Sequence, residues 1–500
     1  MSRWTQLSGA TALACVFSAS AGFADVTAQQ VWGDWKSYLE GFGYTVSATE
    51  TTDSDTLLVS EVTMAFSVPE ADGTFEITMP DMAFQNLGDG TVSIDMPGTS
   101  TMVIEGEAEG EEFRVVMEMD LSNATTLVSG DTDDLTYQYD ATSIAVAITE
   151  FTIVEEDAPD DIQMSMVMNN VSGSSSVKVG ATRDMAQTMS VGSLTYDMQI
   201  ADDGVNVALK GALSDVGFDG TASMPIEFDL EDPNALFTSG FSTGGTFTQG
   251  SSSVSMNVVE NEQAFSLQSN AGVGELEMAI GEDGLRYLGG AKDLSISATG
   301  AELPFPISFA MEEIGYKFVM PLAASDQPQD FGLGLTFAGV AVPDVLWNIF
   351  DPSEVLPREP ATVSFDLDGT AILTEDLTNP EIEDAEEFPG ELLSLSLKDL
   401  VVEIAGAELT GLGNFTFDNS DLDSFDGMPR PLGSADFRLL GGNGLLDKVV
   451  QMGFVSAEQA MGARMMMGLF AVAGPAEDEL RSTIEVNEEG HVLANGQRIK

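Results

Sequence analysis

Ile162-Gln163-Met164-Ser165-Met166-Val167-Met168 sets a large apolar side chain at every second position, and Leu194-Thr195-Tyr196-Asp197-Met198-Gln199-Ile200 repeats the arrangement. A period of two places successive side chains on opposite faces of an extended chain, so each run reads as a strand with one apolar face. The pattern extends outward in both directions. It recurs in Val62, Met64, Phe66 and Val68; in Phe75, Ile77 and Met79; in Phe113, Val115, Met117 and Met119; and in Leu135, Tyr137 and Tyr139. Further along come Met224, Ile226, Phe228 and Leu230, then Leu294, Ile296 and Ala298. Ala71-Asp72-Gly73, Gly88-Asp89-Gly90, Asp202-Asp203-Gly204 and Glu282-Asp283-Gly284 separate the runs, offering residues that tolerate positive φ where a hairpin turns. No space is left for crossover helices, so a parallel α/β arrangement is excluded and an antiparallel meander is expected.

Helical spacing is confined to the edges of this region. Over 27–40, Val31, Trp35, Tyr38 and Leu39 share one face behind a candidate cap at Asp25 or Thr27, and Gly41 ends the run. A short segment from Pro343 to Phe350 carries Trp347 and is closed by Asp351-Pro352. Strands are expected around Leu393–Leu397, Val401–Ile404 and Phe415–Phe417. Leu445, Leu446, Val449 and Val450 then form a helical stripe, and Ser456 with Gln459 makes the capping box of a second helix running to about Phe470. Thr483–Val486 and His491–Ala494 close the chain around a turn at Asn487–Gly490.

The fold class that follows is mainly β: a long antiparallel amphipathic sheet or meander with an N-terminal helix and a C-terminal helix pair. The Pro-rich passages Leu303–Pro306, Ser325–Asp330 and Val355–Pro360, with the acidic loop Asn379–Gly390, suggest a division into 25–335, an extended β region, and 336–500, a mixed β/α region.

Residues 1–24 have the layout of an export signal. Arg3 supplies the positive start, Leu7 to Ser18 the apolar stretch, and Gly22-Phe23-Ala24 the small residues at −3 and −1. Cleavage after Ala24 is expected, leaving a thiol-free chain from Asp25, since Cys15 is the sole cysteine. Ala12, three residues before Cys15, is too small for a lipobox. No later stretch reaches the ~18 continuous apolar residues of a membrane-spanning helix.

The 82 carboxylates against 18 Lys and Arg give a net charge of −64. Such a surface repels phosphate backbones, so nucleic acid is excluded as a partner of its bulk. A single histidine, His491, leaves no serine–histidine–aspartate arrangement in reserve, and Cys/His zinc sites are absent from the composition. His491 reads as an exposed strand position. Phe365-Asp366-Leu367-Asp368-Gly369-Thr370 resembles the nucleophile motif of haloacid-dehalogenase-like phosphatases, but that fold is parallel α/β, and Asp368-Gly369 reads as a hairpin turn. The clusters Asp131–Asp134 and Asp418–Asp423 lack the offsets of an EF-hand and read as solvated loops. Met164, Met166 and Met168, like Met465, Met466 and Met467, read as core filler rather than as a copper site. No catalytic, metal-binding or cofactor-binding residue is assigned, and no cofactor is called for.

Ala24-Asp25-Val26-Thr27-Ala28-Gln29-Gln30-Val31-Trp32, followed by Gly43-Tyr44-Thr45-Val46, resembles the start of an uncharacterised family of exported alphaproteobacterial proteins known only as a domain of unknown function. Gly433–Phe437, Leu446-Asp447-Lys448, Met461–Met465 and Gly490–Gln497 extend the resemblance to the C-terminal region. The helix pair and closing strands are similar, more loosely, to AsmA-like envelope proteins, whose long sheets are thought to handle lipids. Together these readings lead to the expectation of an exported, periplasmic, non-enzymatic envelope protein whose long sheet binds lipid or another apolar ligand. The other classes weighed are an outer-membrane β-barrel, for which seven Tyr and four Trp make poor aromatic girdles, a hydrolase using carboxylates alone, and a structural or protein-binding periplasmic protein.

The charge imbalance carries a direct expectation. Carboxylates repel over ~10 Å at 0.1 M salt and over only ~3 Å at 1 M, so the melting temperature should rise with sodium chloride until screening saturates. A melting temperature that does not move between those salt concentrations contradicts self-repulsion as a limit on stability.

Overall fold

The computed structural model describes residues 25–68, 73–108, 111–153, 161–202, 204–226, 239–377 and 389–500. The export segment, Phe228, Leu230, Asp203, Ala71-Asp72 and most of the acidic loop fall outside the described residues. The described chain forms one antiparallel sheet of 27 strands. From β9 (Asp134–Ile153) through β10 (Asp161–Val179), β11 (Thr182–Asp202) and β12 (Val205–Pro225) it is a plain meander of 19 to 21 residues per strand.

Long strands elsewhere are divided in two. β2 (Thr56–Val68) pairs with both β3 (Gly73–Met79) and β4 (Met82–Asn86), because Pro80 interrupts the ladder between them. The halves β5 (Val92–Asp95) and β6 (Thr99–Ala108), and β7 (Glu111–Ser122) and β8 (Thr125–Asp131), continue the same division up to β9. It reappears where β12 pairs with β13 (Ser242–Gln249) and β14 (Ser252–Glu260), and these pair with β16 (Gly274–Gly281) and β15 (Gln263–Ala271). β17 (Gly284–Gly300) gathers both halves again.

These interruptions form a seam across the sheet. Glu61, Asn123, Asn170, Asp215 and Asp293 lie on it with φ between 49° and 54°, a left-handed conformation that Asn and Asp tolerate best. In β10 and β11, Asn169 faces Ser193 and Val171 faces Val191, while Asn170 and Gly192 drop out of the ladder. One residue out of register reverses the face on which every later side chain stands. The apolar positions therefore change from even (Met164, Met166, Met168) to odd (Val171, Val177, Val179). Both sets stay on one face: Met168 packs with Val171, Ala141, Val191 and Val216.

Beyond β17 the meander resumes through β18 (Ile307–Met320), β19 (Gln329–Val340), β20 (Ala361–Leu373), β21 (Gly390–Ile404), β22 (Ala407–Asp418) and β23 (Arg430–Leu440). The expected boundary at 335/336 falls inside β19, which is hydrogen-bonded to β18 and β20. Leu393–Leu397 and Val401–Ile404 are one strand, not two, because β21 passes residues 398–399 as a bulge without breaking. β25 (Glu479–Val486) pairs with β23 and with two short strands, β24 (Val472–Ala473) and β26 (Val492–Ala494), and β27 (Gln497–Arg498) ends the sheet.

The N-terminal helix, α1 (Ala28–Gly41), is capped by Thr27 in a capping box with Gln30. Val31 and Trp32 are buried with Leu57, Val59, Phe84, Leu135 and Val177, forming the main core of the described chain. Trp35 Nε1 donates to Tyr137 Oη at 3.0 Å, and burial pushes the Tyr137 phenol up to about 12. Arg183 of β11 grips Asp34 through two bonds of 2.7 Å and lies 4.5 Å from the centre of the Tyr38 ring. The pair is 12% and 14% exposed, so removing one partner leaves a largely desolvated charge. Arg183→Met should lower unfolding stability by about 3 kcal/mol, read by denaturant titration, and should shift the emission of Trp32 and Trp35. A loss below about 0.5 kcal/mol, the range of an ordinary surface substitution, would show that the ion pair does not hold α1 down.

Candidate functional site

Cross-strand partners share a face, so the register traces which side chains line up. Met117, Ile148, Met164, Met198, Leu209, Met256, Leu267, Ala298 and Ile307 stand in one row, each the direct partner of the next. Across the seam a second row runs from Tyr139 through Met189, Phe218, Phe247, Leu276, Tyr316, Leu335, Phe365 and Leu400 to Phe437. Glycines 173, 289 and 411 interrupt this row, each beside a ring. A Cβ at Gly289 would stand 2.4 Å from Tyr316 Oη, and one at Gly411 2.6 Å from Phe437 Cδ1. The aromatic ring fills the place of the missing side chain and keeps the surface continuous.

The opposite face is polar. Ser165, Asp197, Lys210, Ser255, Gln268, Ser297 and Ser308 form a matching row there, with Lys210 paired to Asp197 at 2.6 Å.

Both ends of the apolar face are covered. Tyr137 and Val177 lie under α1 at one end. At the other, α3 (Gly442–Gln451) packs on β22, and α4 (Ala457–Phe470) packs against α3. The short α2 (Asp344–Phe350) buries none of its residues. Between the two covers much of the face is partly exposed among the described residues, except at the seam, where Ala141, Val171, Val191 and Val216 are buried. None of the nine residues in the first row is buried. Met278, Phe318 and Leu333, joined in a third row through Tyr287, are 49%, 37% and 48% exposed, whereas Phe84 and Val59 under α1 are 0%. Met166 and Met198 both belong to this half-buried stretch.

α4 roofs a cavity of about 310 Å³ whose floor is Leu409, Phe437, Leu439 and Leu480 and whose roof is Met466, Met467 and Phe470. Its one polar lining group, the Ser482 hydroxyl, donates to the Phe470 carbonyl at 2.5 Å. The helices are held by carboxylates that lie far along the chain. α3 begins at Gly441, which has no side chain to cap it, and Asp478 takes that place by accepting from Asn443 N at 3.2 Å and Gly444 N at 2.8 Å. Burial pushes the Asp478 carboxyl up, and these N–H groups with the Arg464 charge more than offset it, leaving its pKa below the ordinary value. The neighbouring Glu479 is buried, and Arg481 and the Ala476 N–H hold its carboxyl below the usual range.

The other sequence candidates resolve as structural contacts. Asp368-Gly369 is not a hairpin turn: it lies in the middle of β20, because Phe331 of β19 sits over Gly369 and the ladder continues through it. Lys317 of β18 reaches across Gly332 and Gly334 to Asp366 at 2.7 Å and Asp368 at 2.5 Å. Burial pushes the Lys317 ammonium down, and the two carboxylates more than reverse it. The three form a pair of salt bridges sharing one ammonium on the polar face. Asp131 accepts from the backbone of Asp133 and Asp134, closing the β8–β9 turn. Asp418 and Asp421 accept from Ser420 and Ser424 and pair with Arg430. Among the described residues, no three His, Cys, Asp or Glu side chains converge as metal ligands. His491 is half-buried rather than exposed and immediately precedes β26; its N–H donates to Asn487 Oδ1 at 2.9 Å. Met465 and Met466 are not core filler, being 70% and 53% exposed on α4. A further cavity of about 400 Å³ is lined by Arg114 and several glutamates, and Arg114 is already paired with Glu105 and Glu150.

No family model matches the chain, and no curated protein or solved structure matches it either.

The Asp478 cap is open to a test with a definite sign. A carboxyl whose folded pKa is depressed contributes stability above its ordinary pKa, and that contribution fades as pH falls through the depressed value. Asp478→Ala should cost about 1 kcal/mol at pH 7, with the gap from wild type closing as pH drops below the ordinary 3.8 of aspartate. A gap that stays constant from pH 7 to pH 3 in thermal melts would rule out an ionised cap.

Proposed function

We propose that this is an exported, non-enzymatic protein of the cell envelope that holds an acyl chain or another apolar ligand on the open middle of its sheet. The observation that carries the reading is the set of apolar rows kept in register across the sheet and left largely unroofed, among the described residues, between α1 and the α3–α4 pair. Contiguous apolar surface facing water is costly, at about 25 cal/mol per Å², and a large patch of it marks a binding surface. The layout of residues 1–24 supports export and a periplasmic location. The similarity of the closing segment to AsmA-like envelope proteins points the same way.

The topology favours this reading over a transmembrane barrel. A barrel in lipid must join its first and last strands, whereas the described ladder runs from β1 (Thr45–Asp53), paired with β2, to β27, paired with β26, with no pairing between the edges.

A fluorescent fatty-acid probe should bind the delipidated protein saturably, and Met166→Asp or Met198→Asp should weaken binding on the order of ten-fold, about 1.4 kcal/mol. Folded protein that carries no extractable lipid and does not bind the probe overturns the proposal and leaves a structural or protein-binding role as the better reading.

A further inference from the structure

We infer that the cavity beneath α4 is the seat for the end of a single alkyl chain, the rest of which lies on the open sheet; this rests on the reading of the open face as a ligand surface. The cavity is bounded by Phe437, the last aromatic residue of the second row, so its floor is continuous with that face. At about 310 Å³ it is at the small end of ligand pockets, roughly 300 to 1,000 Å³, and suits one chain rather than a whole lipid. Its chemistry excludes a charged occupant: no charged side chain lines it, and the Ser482 hydroxyl already has its acceptor in the Phe470 carbonyl. A carboxylate or phosphate there would find no charged or free donor side chain to pair with, so the head group is placed outside.

The roof is suited to an occupant of variable length. Methionine has three rotatable bonds and a polarisable sulfur, and it repacks around different shapes at little cost. Three consecutive methionines on α4 divide the work by position. Met467 is half-buried in the roof, Met466 is at the rim, 53% exposed, and Met465 points away from the cavity, 70% exposed.

That arrangement supplies the variants for a test. A dodecyl chain carrying a fluorophore at its head-group end, leaving the alkyl end free, would be titrated into the full-length protein, with dodecanol and dodecanoate as competitors. Met467→Trp, which fills the roof, and Met466→Glu, which places a charge at an exposed rim without disturbing packing, should each weaken probe binding at least ten-fold. Met465→Glu should leave it unchanged. Both competitors should displace the probe, since the chain and not the head group occupies the seat. Probe binding that survives Met467→Trp and Met466→Glu but falls in Met198→Asp would overturn the seat while keeping the open face. Binding lost equally in Met465→Glu would also overturn it, because that result means adsorption to the outer surface of α4. No probe binding in any form would instead sink the ligand-binding reading itself.

Discussion

In an antiparallel sheet, backbone pairing and side-chain direction are one constraint: an apolar face passes from strand to strand only while register is kept. Everything else in this fold depends on that register. Strands of about twenty residues twist along their length. The seam through Asn123, Asn170, Asp215 and Asp293 interrupts the ladder at one level across several strands. Because neighbouring strands drop a residue at the same level, the reversal of parity is shared, and the apolar rows meet across it instead of ending there.

The scarcity of positive charge explains how the ends are held. Among only 18 basic residues in 500, several tie separate elements together. Arg183 fastens α1 to β11, Lys317 bridges β18 to β20, Arg438 links β23 to Glu408 and Glu479, and Arg464 joins α4 to α3 through Asn443 and Asp447. The surplus carboxylates close turns or face water on the polar side. On the proposed function the apolar face would hold the ligand, while like charges on the remaining surface repel one another.

Much of this was legible in the chain. The alternation at 162–168 and 194–200 specified strands with one apolar face, and Thr27 with Gln30 and Ser456 with Gln459 marked two helix starts by side chains that reach the backbone locally. The contacts that sequence reasoning missed are non-local. Asp478 caps a helix that starts more than thirty residues earlier, and Arg183 is 149 positions from Asp34. Asp368-Gly369 misled because glycine serves turns and ring-covered strand positions alike, and only the partner strand, which brings Phe331, distinguishes them. The seam did leave a trace: apolar positions are even up to Met168 and odd from Val171, and the reverse change occurs between Val191 and Leu194. Read as a parity break at Asn170 and Gly192, that signal locates the bulge without coordinates.

The central claim is that the unroofed apolar rows hold a chain-like apolar ligand in the protein as it is made. Native mass spectrometry of protein prepared from its own compartment without detergent tests this most directly. The account predicts a bound population heavier by the mass of an acyl-chain molecule, released on denaturation and recovered in organic extract. A single apo mass under conditions that preserve the fold, with nothing in the extract, would contradict it.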